Sequence, residues 1–323
     1  MNSDEIQREF TCYSRKGVII LGQTVSTRKE EAGKDKSIII LYLEEMRWRQ
    51  WTKNVLVFAA FIFSINKVEI SMLFNSIFGF ICFCLVSSCV YILNDYLDRE
   101  SDKLHPKKKN RPIASGQINP QQAIFVAVLI LLGAISFSFY IDALFGFVIV
   151  SYLALNIAYS LKLKHIVILD IMTIASGFVL RAIGGALVIK VVLTPWFLIC
   201  IMLLALFLAV NKRRHELLLL EEGGLQHRKV LINYSLPLID QMNNIVTSST
   251  IVSYALFTFT SGRTIHLMWT IPFVLYGIFR YLFLIYMKNE GGAPDKILFK
   301  DKPLLAAVVL YAFVTLIILY AFE

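Results

Sequence analysis

The sequence predicts an all-α, polytopic membrane protein of about nine transmembrane helices. Three observations carry that expectation. Of the 323 residues, 57% are hydrophobic, and the mean hydropathy is +0.65. Charged residues are only 17%, against about 25% in soluble domains. They are also clumped, and between the clumps lie apolar runs long enough to cross a hydrocarbon core of about 30 Å as helices.

Taken in order, residues 1–40 read as a polar tail of mixed charge, expected to be poorly ordered. Its one apolar patch, Val18–Leu21, is too short for a signal-peptide core. The domain proper then runs from 41 to 323. Its candidate spans are 54–66, which is short, then 71–93, 121–141, 143–160, 167–189, 195–210, 240–260, 266–287 and 304–322. Nine spans place the tail and the loops after the even-numbered spans on one side. That side carries 27 of the 32 Lys and Arg, and the other side carries 3, Lys67, Lys190 and Arg263. Cytoplasmic loops hold the Lys/Arg excess. The N-terminus and the large loops are therefore expected in the cytoplasm, on a multi-pass protein of the cell membrane. The net charge of +9 reflects this topology and something anionic handled on that face, so no nucleic-acid partner is expected. Cys12, Cys82, Cys84, Cys89 and Cys200 show neither metal-ligand nor disulfide spacing and read as packing residues.

The chemistry concentrates after the second span, in Asn94-Asp95-Tyr96-Leu97-Asp98-Arg99-Glu100-Ser101-Asp102. On a continuing helix Asp95, Asp98 and Asp102 fall at i, i+3 and i+7, on one stripe. Converging carboxylates repel unless a cation sits between them. Hard oxygen donors suit Mg²⁺, which takes one or two carboxylates and completes its shell with water and substrate phosphates. Asn94, about 100° round the helix, can add an amide oxygen. A solvated helix end is the plainer alternative. His105-Pro106-Lys107-Lys108-Lys109-Asn110-Arg111 follows at once. Carboxylates for a metal and cations for the remaining oxygens are what a magnesium diphosphate needs, although Lys107 to Lys109 also fit a simple inside-positive anchor.

The string NDYLDRESDKLHPKKKNRPIASG resembles the first aspartate-rich motif of the UbiA prenyltransferase superfamily with its trailing RPxxSG. The resemblance implies a helical bundle with a central cavity, acting on magnesium diphosphates. Members that transfer prenyl groups carry a second aspartate-rich motif after the sixth span. Here that stretch is Asn211-Lys212-Arg213-Arg214-His215-Glu216-Leu217, basic rather than acidic. The segments Arg49-Gln50-Trp51-Thr52-Lys53-Asn54-Val55-Leu56-Val57, Tyr159-Ser160-Leu161-Lys162-Leu163-Lys164-His165 with Asp170 and Leu180-Arg181-Ala182-Ile183, and Gly291-Gly292-Ala293-Pro294-Asp295 resemble the decaprenyl-phosphate phosphoribosyltransferase branch. That branch implies transfer of 5-phosphoribosyl from phosphoribosyl diphosphate to a polyprenyl phosphate, for cell-wall precursor synthesis. A homo-oligomer is compatible with the sequence.

Such a transfer needs no tuned general base, because the lipid phosphate is already anionic. It needs Mg²⁺ on the departing diphosphate, with Asp95, Asp98 and Asp102 as metal ligands and Asn94 beside them. It also needs cations to hold two like-charged substrates together. Candidates are Lys53, Arg111, Lys162, Lys164, Lys212, Arg213 and Arg214, with Tyr159 at a span end. Asp170 either serves metal or ribose, or pairs with a neighbouring Lys. Arg181 lies deeper, and as an intramembrane Arg is either functional or a tie between helices. Two rival readings stay open. One is prenyl transfer to an aromatic or other small acceptor, which the missing second motif disfavours. The other is a transporter or lipid flippase, whose ionisable groups belong nearer the midplane.

Overall fold

The computed structural model describes residues 37–64, 69–106, 108–221, 229–292 and 294–322. Most of the polar tail, Lys67, Lys107 and Ala293 lie outside them. The chain forms two compact units, Met1–Leu43 and Glu44–Glu323. All further description concerns the second.

Among the described residues the structure is helical throughout, without strands. Helix α1 (Ile38–Glu45) is followed by a 3₁₀ segment (Trp48–Phe58) and the short α2 (Ala59–Ile62). Then come α3 (Ile70–Leu97), α4 (Arg99–Leu104), α5 (Pro120–Ile141), α6 (Ala143–Leu161), α7 (Leu169–Val188), α8 (Pro195–Glu221), α9 (Leu236–Thr260), α10 (Ile271–Lys288), α11 (Pro294–Lys300) and α12 (Lys302–Phe322). Seven of these described helices, α3, α5, α6, α7, α8, α10 with its 3₁₀ lead-in, and α12, are long and apolar enough to cross a membrane. The chain is therefore membrane-embedded. The other two expected spans differ for physical reasons. The first is mostly 3₁₀, and α9, although 25 residues long, carries the buried polar residues Asn243, Thr247, Thr250 and Ser253.

Length places the chemistry at one end of the bundle. Helix α3 has 28 residues, roughly 42 Å at 1.5 Å per residue, longer than the hydrocarbon core. Its last turn, with Asn94 and Asp95, therefore emerges at a membrane face. Helix α5 is started by Asn119, whose side chain accepts the N–H of Gln121 at 2.9 Å, with Pro120 in the first turn. A single extended residue, Asp142, links α5 to α6 and caps the latter through the Phe145 N–H.

The 3₁₀ segment is driven deep between α3 and α7. Trp51 Nε1 donates to Ser88 Oγ at 3.0 Å, and Ser88 donates to the Met46 carbonyl. Asn54 accepts from Arg181 Nε at 2.6 Å. Arg181 also donates to Tyr152 Oη and the Gly177 carbonyl, so this intramembrane Arg ties three elements together. Close approach at the crossing requires Gly185, where a Cβ would sit 2.0 Å from the Val57 carbonyl oxygen, a backbone atom that has nowhere to go. Gly185→Ala is expected to lower stability by about 1–3 kcal/mol, as overpacking does. A melting temperature in detergent equal to wild type would contradict the crossing.

Candidate active site

Three polar constellations hold Asp95, Asp102 and Arg111, then Asp170 and Arg213, and then Arg214. The first lies where α3 ends. Asp95 and Asp102 are both buried, and one nitrogen of Arg111 touches both, at 2.9 Å and 2.5 Å. Arg47 adds a second guanidinium on Asp95 at 2.5 Å, and Lys108 stands 3.6 Å from Asp102. The loop that delivers Arg111 is held by its own small core, with Ile113, Ala114 and Ile118 buried and the Ile118 N–H bonded to the Pro112 carbonyl. The i, i+7 spacing of Asp95 and Asp102 thus does what a helical stripe predicts. Asp98 lies at the one-residue break between α3 and α4 and, unlike the other two, is exposed, while its N–H and carbonyl keep i→i−4 bonds to Asn94 and Asp102. Asn94 is half-buried, and its carbonyl accepts the Asp98 N–H.

Two residues of this constellation escape a reading by sequence spacing. Arg47 takes a left-handed backbone (φ 51°, ψ 48°) between α1 and the 3₁₀ segment, and its guanidinium also lies 4.7 Å from the Tyr91 ring centre. Glu45, two residues earlier, is 1% exposed, its carboxyl against Asp95 and the Ile113 backbone. Burial first, then repulsion from the adjoining Asp95, pushes its carboxyl up to about 8. Both residues sit nearly 50 positions from Asp95, so only the fold brings them there.

The second constellation joins α7, α8 and the segment before α9. Asp170, fully buried, accepts from Arg213 Nε at 2.7 Å and from Tyr234 Oη at 2.7 Å. Arg213 continues to Glu216 at 2.5 Å, with Tyr159 close enough to influence its charge. Tyr234 in turn accepts the N–H of Ile168, a β-branched residue held at φ 69°, a strained conformation. Asp170 therefore pairs with an Arg rather than a Lys, and Arg213 has its guanidinium committed to two acids.

The third lies between α8, α9 and α10. Arg214 binds Asp240 at 2.7 Å and lies 4.1 Å from the Tyr286 ring centre. Tyr286 and Asn243 extend the network to Asn211. Here the last loop closes on α8, with the Gly291 N–H on His215 Nδ1. Lys53 and Lys212 are half-exposed, Lys162 is exposed and Lys164 intermediate.

The residues match the metal the motif implies by donor chemistry, with two buried carboxylates sharing one cation and a third whose oxygens are uncommitted. Among the described residues the acids do not form a preassembled ligand set of three, and guanidinium groups engage Asp95 and Asp102.

The family model for the UbiA prenyltransferase family matches residues 55–300. The chain belongs to that family. This UbiA member is 33% identical to a decaprenyl-phosphate phosphoribosyltransferase of Mycolicibacterium smegmatis, over 84% of the chain and 90% of that protein. It is 32% identical to the enzyme of the same name from Corynebacterium glutamicum, over 86% of each. The fold is shared with a UbiA homologue from Archaeoglobus fulgidus bound to GPP and Mg²⁺, at TM-score 0.66 and 17% identity, covering 87% of the chain and all of that structure. The protein is accordingly a membrane-embedded transferase of the UbiA type.

Proposed function

We propose that this protein transfers 5-phosphoribosyl from phosphoribosyl diphosphate to a polyprenyl phosphate, giving polyprenyl-phosphoryl-5-phosphoribose and diphosphate. The observation that carries the reading is the likeness, across more than four-fifths of both chains, to proteins named for that reaction. The basic stretch 212–214, standing where prenyl-transferring members carry acids, supports it. The active face is the cytoplasmic one, on the strength of the Lys/Arg distribution.

In this reading Asp95 and Asp102 hold Mg²⁺, joined by Asp98 at the mouth and by Asn94. Bound there, the metal would neutralise charge on the departing diphosphate. Arg111 and Arg47 grip diphosphate oxygens, since guanidinium forks suit phosphate. Cleavage of the C1–O bond builds oxocarbenium character on the ribose, and the anionic lipid phosphate attacks C1 without a proton to remove. Lys53, Lys162, Lys164 and Lys212 are left to steer the second phosphate group. An apolar groove of about 160 Å³ between α7, α8 and α9, lined by Met172, Leu206, Val210 and Met242, offers the isoprenoid tail a dry surface.

The test is a magnesium-dependent assay with radiolabelled phosphoribosyl diphosphate and polyprenyl phosphates of several lengths. Label is expected to enter the organic phase and to stay aqueous with EDTA. No transfer at any length, alongside prenyl transfer from a prenyl diphosphate to an aromatic acid, would replace this reading with its rival.

A further inference from the structure

We propose that Arg181 binds a phosphate monoester, the 5-phosphate of the sugar donor or the phosphate of the lipid acceptor, which deepens the phosphoribosyl reading and rests on it. The cation is one that lies within a membrane span, outside both charged stretches of the sequence.

Arg181 is set apart by its partners. Arg47, Arg111, Arg213, Arg214 and Arg280 each pair with a carboxylate. Arg181 is 8% exposed within the membrane-spanning α7, and its acceptors are the Asn54 amide oxygen, the Tyr152 hydroxyl and the Gly177 carbonyl, all neutral. The Tyr152 and Phe178 ring centres lie 4.7 Å and 5.2 Å from its guanidinium carbon, and ring faces attract a cation without neutralising it. A buried charge without a counter-charge is costly, and inside a membrane span such a charge marks a functional site. An anionic ligand supplies the missing charge.

Direction shows which ligand. Helical side chains lean toward the helix N-terminus, and Arg181 does so, with Nη1 on the Gly177 carbonyl one turn back. The start of α7 lies at the membrane face where α3 ends, because α5 and α6 cross out and back. The guanidinium therefore points toward the first constellation. Gly177 is seven residues into α7 from Asp170, roughly 10 Å. Tyr91 is one turn below Asp95 on α3, roughly 6 Å, and is close enough to feel both Arg47 and Arg181. With a diphosphate held at Asp95 and Asp102, two anionic groups remain to be placed, one on each substrate. Both are phosphate monoesters, and a guanidinium fork suits either.

Asn54 aims that fork. It is 1% exposed, takes Arg181 Nε on its amide oxygen, and turns its amide nitrogen to Cys84 Sγ at 3.2 Å and Ser87 Oγ at 3.4 Å. A guanidinium has five N–H donors, and Nη1 and Nη2 each keep one beyond the bonds to Gly177 and Tyr152.

The experiment reads ligand binding from melting temperatures of the full chain in detergent. The probes are ribose 5-phosphate and geranyl phosphate, with inorganic diphosphate and Mg²⁺ as the control. Wild type is expected to bind one monoester or both. Arg181→Gln is expected to weaken that binding about tenfold or more, as loss of a charged hydrogen bond does, with diphosphate affinity unchanged. Arg181→Lys, which keeps the charge and loses the fork, is expected to fall between the two, and it carries the test should the Gln variant fail to fold. Loss confined to ribose 5-phosphate assigns Arg181 to the donor, and loss confined to geranyl phosphate assigns it to the acceptor. Wild-type affinity for both probes in the variants overturns the proposal, and so does a wild type that binds neither. Equal weakening of all three ligands, or failure of both variants to fold, makes Arg181 a tie between helices alone and overturns it too. Monoester binding through Arg181 in a protein that transfers no phosphoribosyl keeps the site and removes only the reaction. Transfer by wild type with unaltered monoester binding in the variants does the reverse.

Discussion

Asp95→Asn is expected to abolish measurable transfer while leaving the protein folded. Asp95 is where the first constellation meets: Arg47 and Arg111 both bind its Oδ1, and Glu45 adjoins it. Replacing the carboxylate by an amide removes one negative charge from the metal site and releases both guanidinium groups from a common anchor. Loss of one preorganised charge-stabilising group slows a reaction by roughly 100- to 1000-fold, and here the metal is weakened as well. The fold should survive because the orphaned partners can reach water. The side chains of Arg47 and Arg111 are 30% and 27% exposed, so neither is stranded as a dry charge. Single-turnover assays alongside melting curves separate the two effects. Full activity in Asp95→Asn would remove this constellation from the chemistry. A collapse in melting temperature of more than a few degrees would make it structural.

What the sequence discloses and what it hides follows the reach of each interaction. Spans are legible because hydropathy is a local sum. The meeting of Asp95, Asp102 and Arg111 is legible because helical spacing aligns two of them and a short loop returns the third within nine residues of Asp102. Asp98 differs from its neighbours in exposure, at the one-residue break between α3 and α4, which no residue type announces. Helix α9 was legible as a helix, but its polar stripe becomes intelligible only against α8, where Asn211 donates to Asn243. Arg47 and Glu45 were hidden for a different reason. They reach Asp95 only through tertiary contact, across about 50 residues. Arg213 is the opposite case: its place in a basic run suggested a phosphate ligand, while the fold spends its charge on Asp170 and Glu216.

That last assignment yields the largest expected effect on stability. Asp170 and Arg213 side chains are 0% and 2% exposed, in contrast to the half-wet pairs around Asp95. Removing Arg213 leaves Asp170, fully buried, without its cation, which typically costs about 3–5 kcal/mol. Asp170→Leu is expected to cost less, because Arg213 keeps Glu216, but it leaves the Tyr234 hydroxyl without its acceptor. Arg213→Met is therefore the more destabilising of the two, since Asp170 is then buried beside Tyr234 alone. Combining Asp170→Leu with Arg213→Met should recover most of the loss, because replacing a buried ion pair by apolar groups is often close to neutral. A double-mutant cycle of melting temperatures measures the coupling directly. If Arg213→Met leaves stability unchanged and instead raises KM for one phosphate substrate, Arg213 is a ligand after all. Its bond to Asp170 would then be a resting position that substrate displaces. The two guanidiniums are told apart by their surroundings: the Arg111 side chain is 27% exposed and that of Arg213 2%.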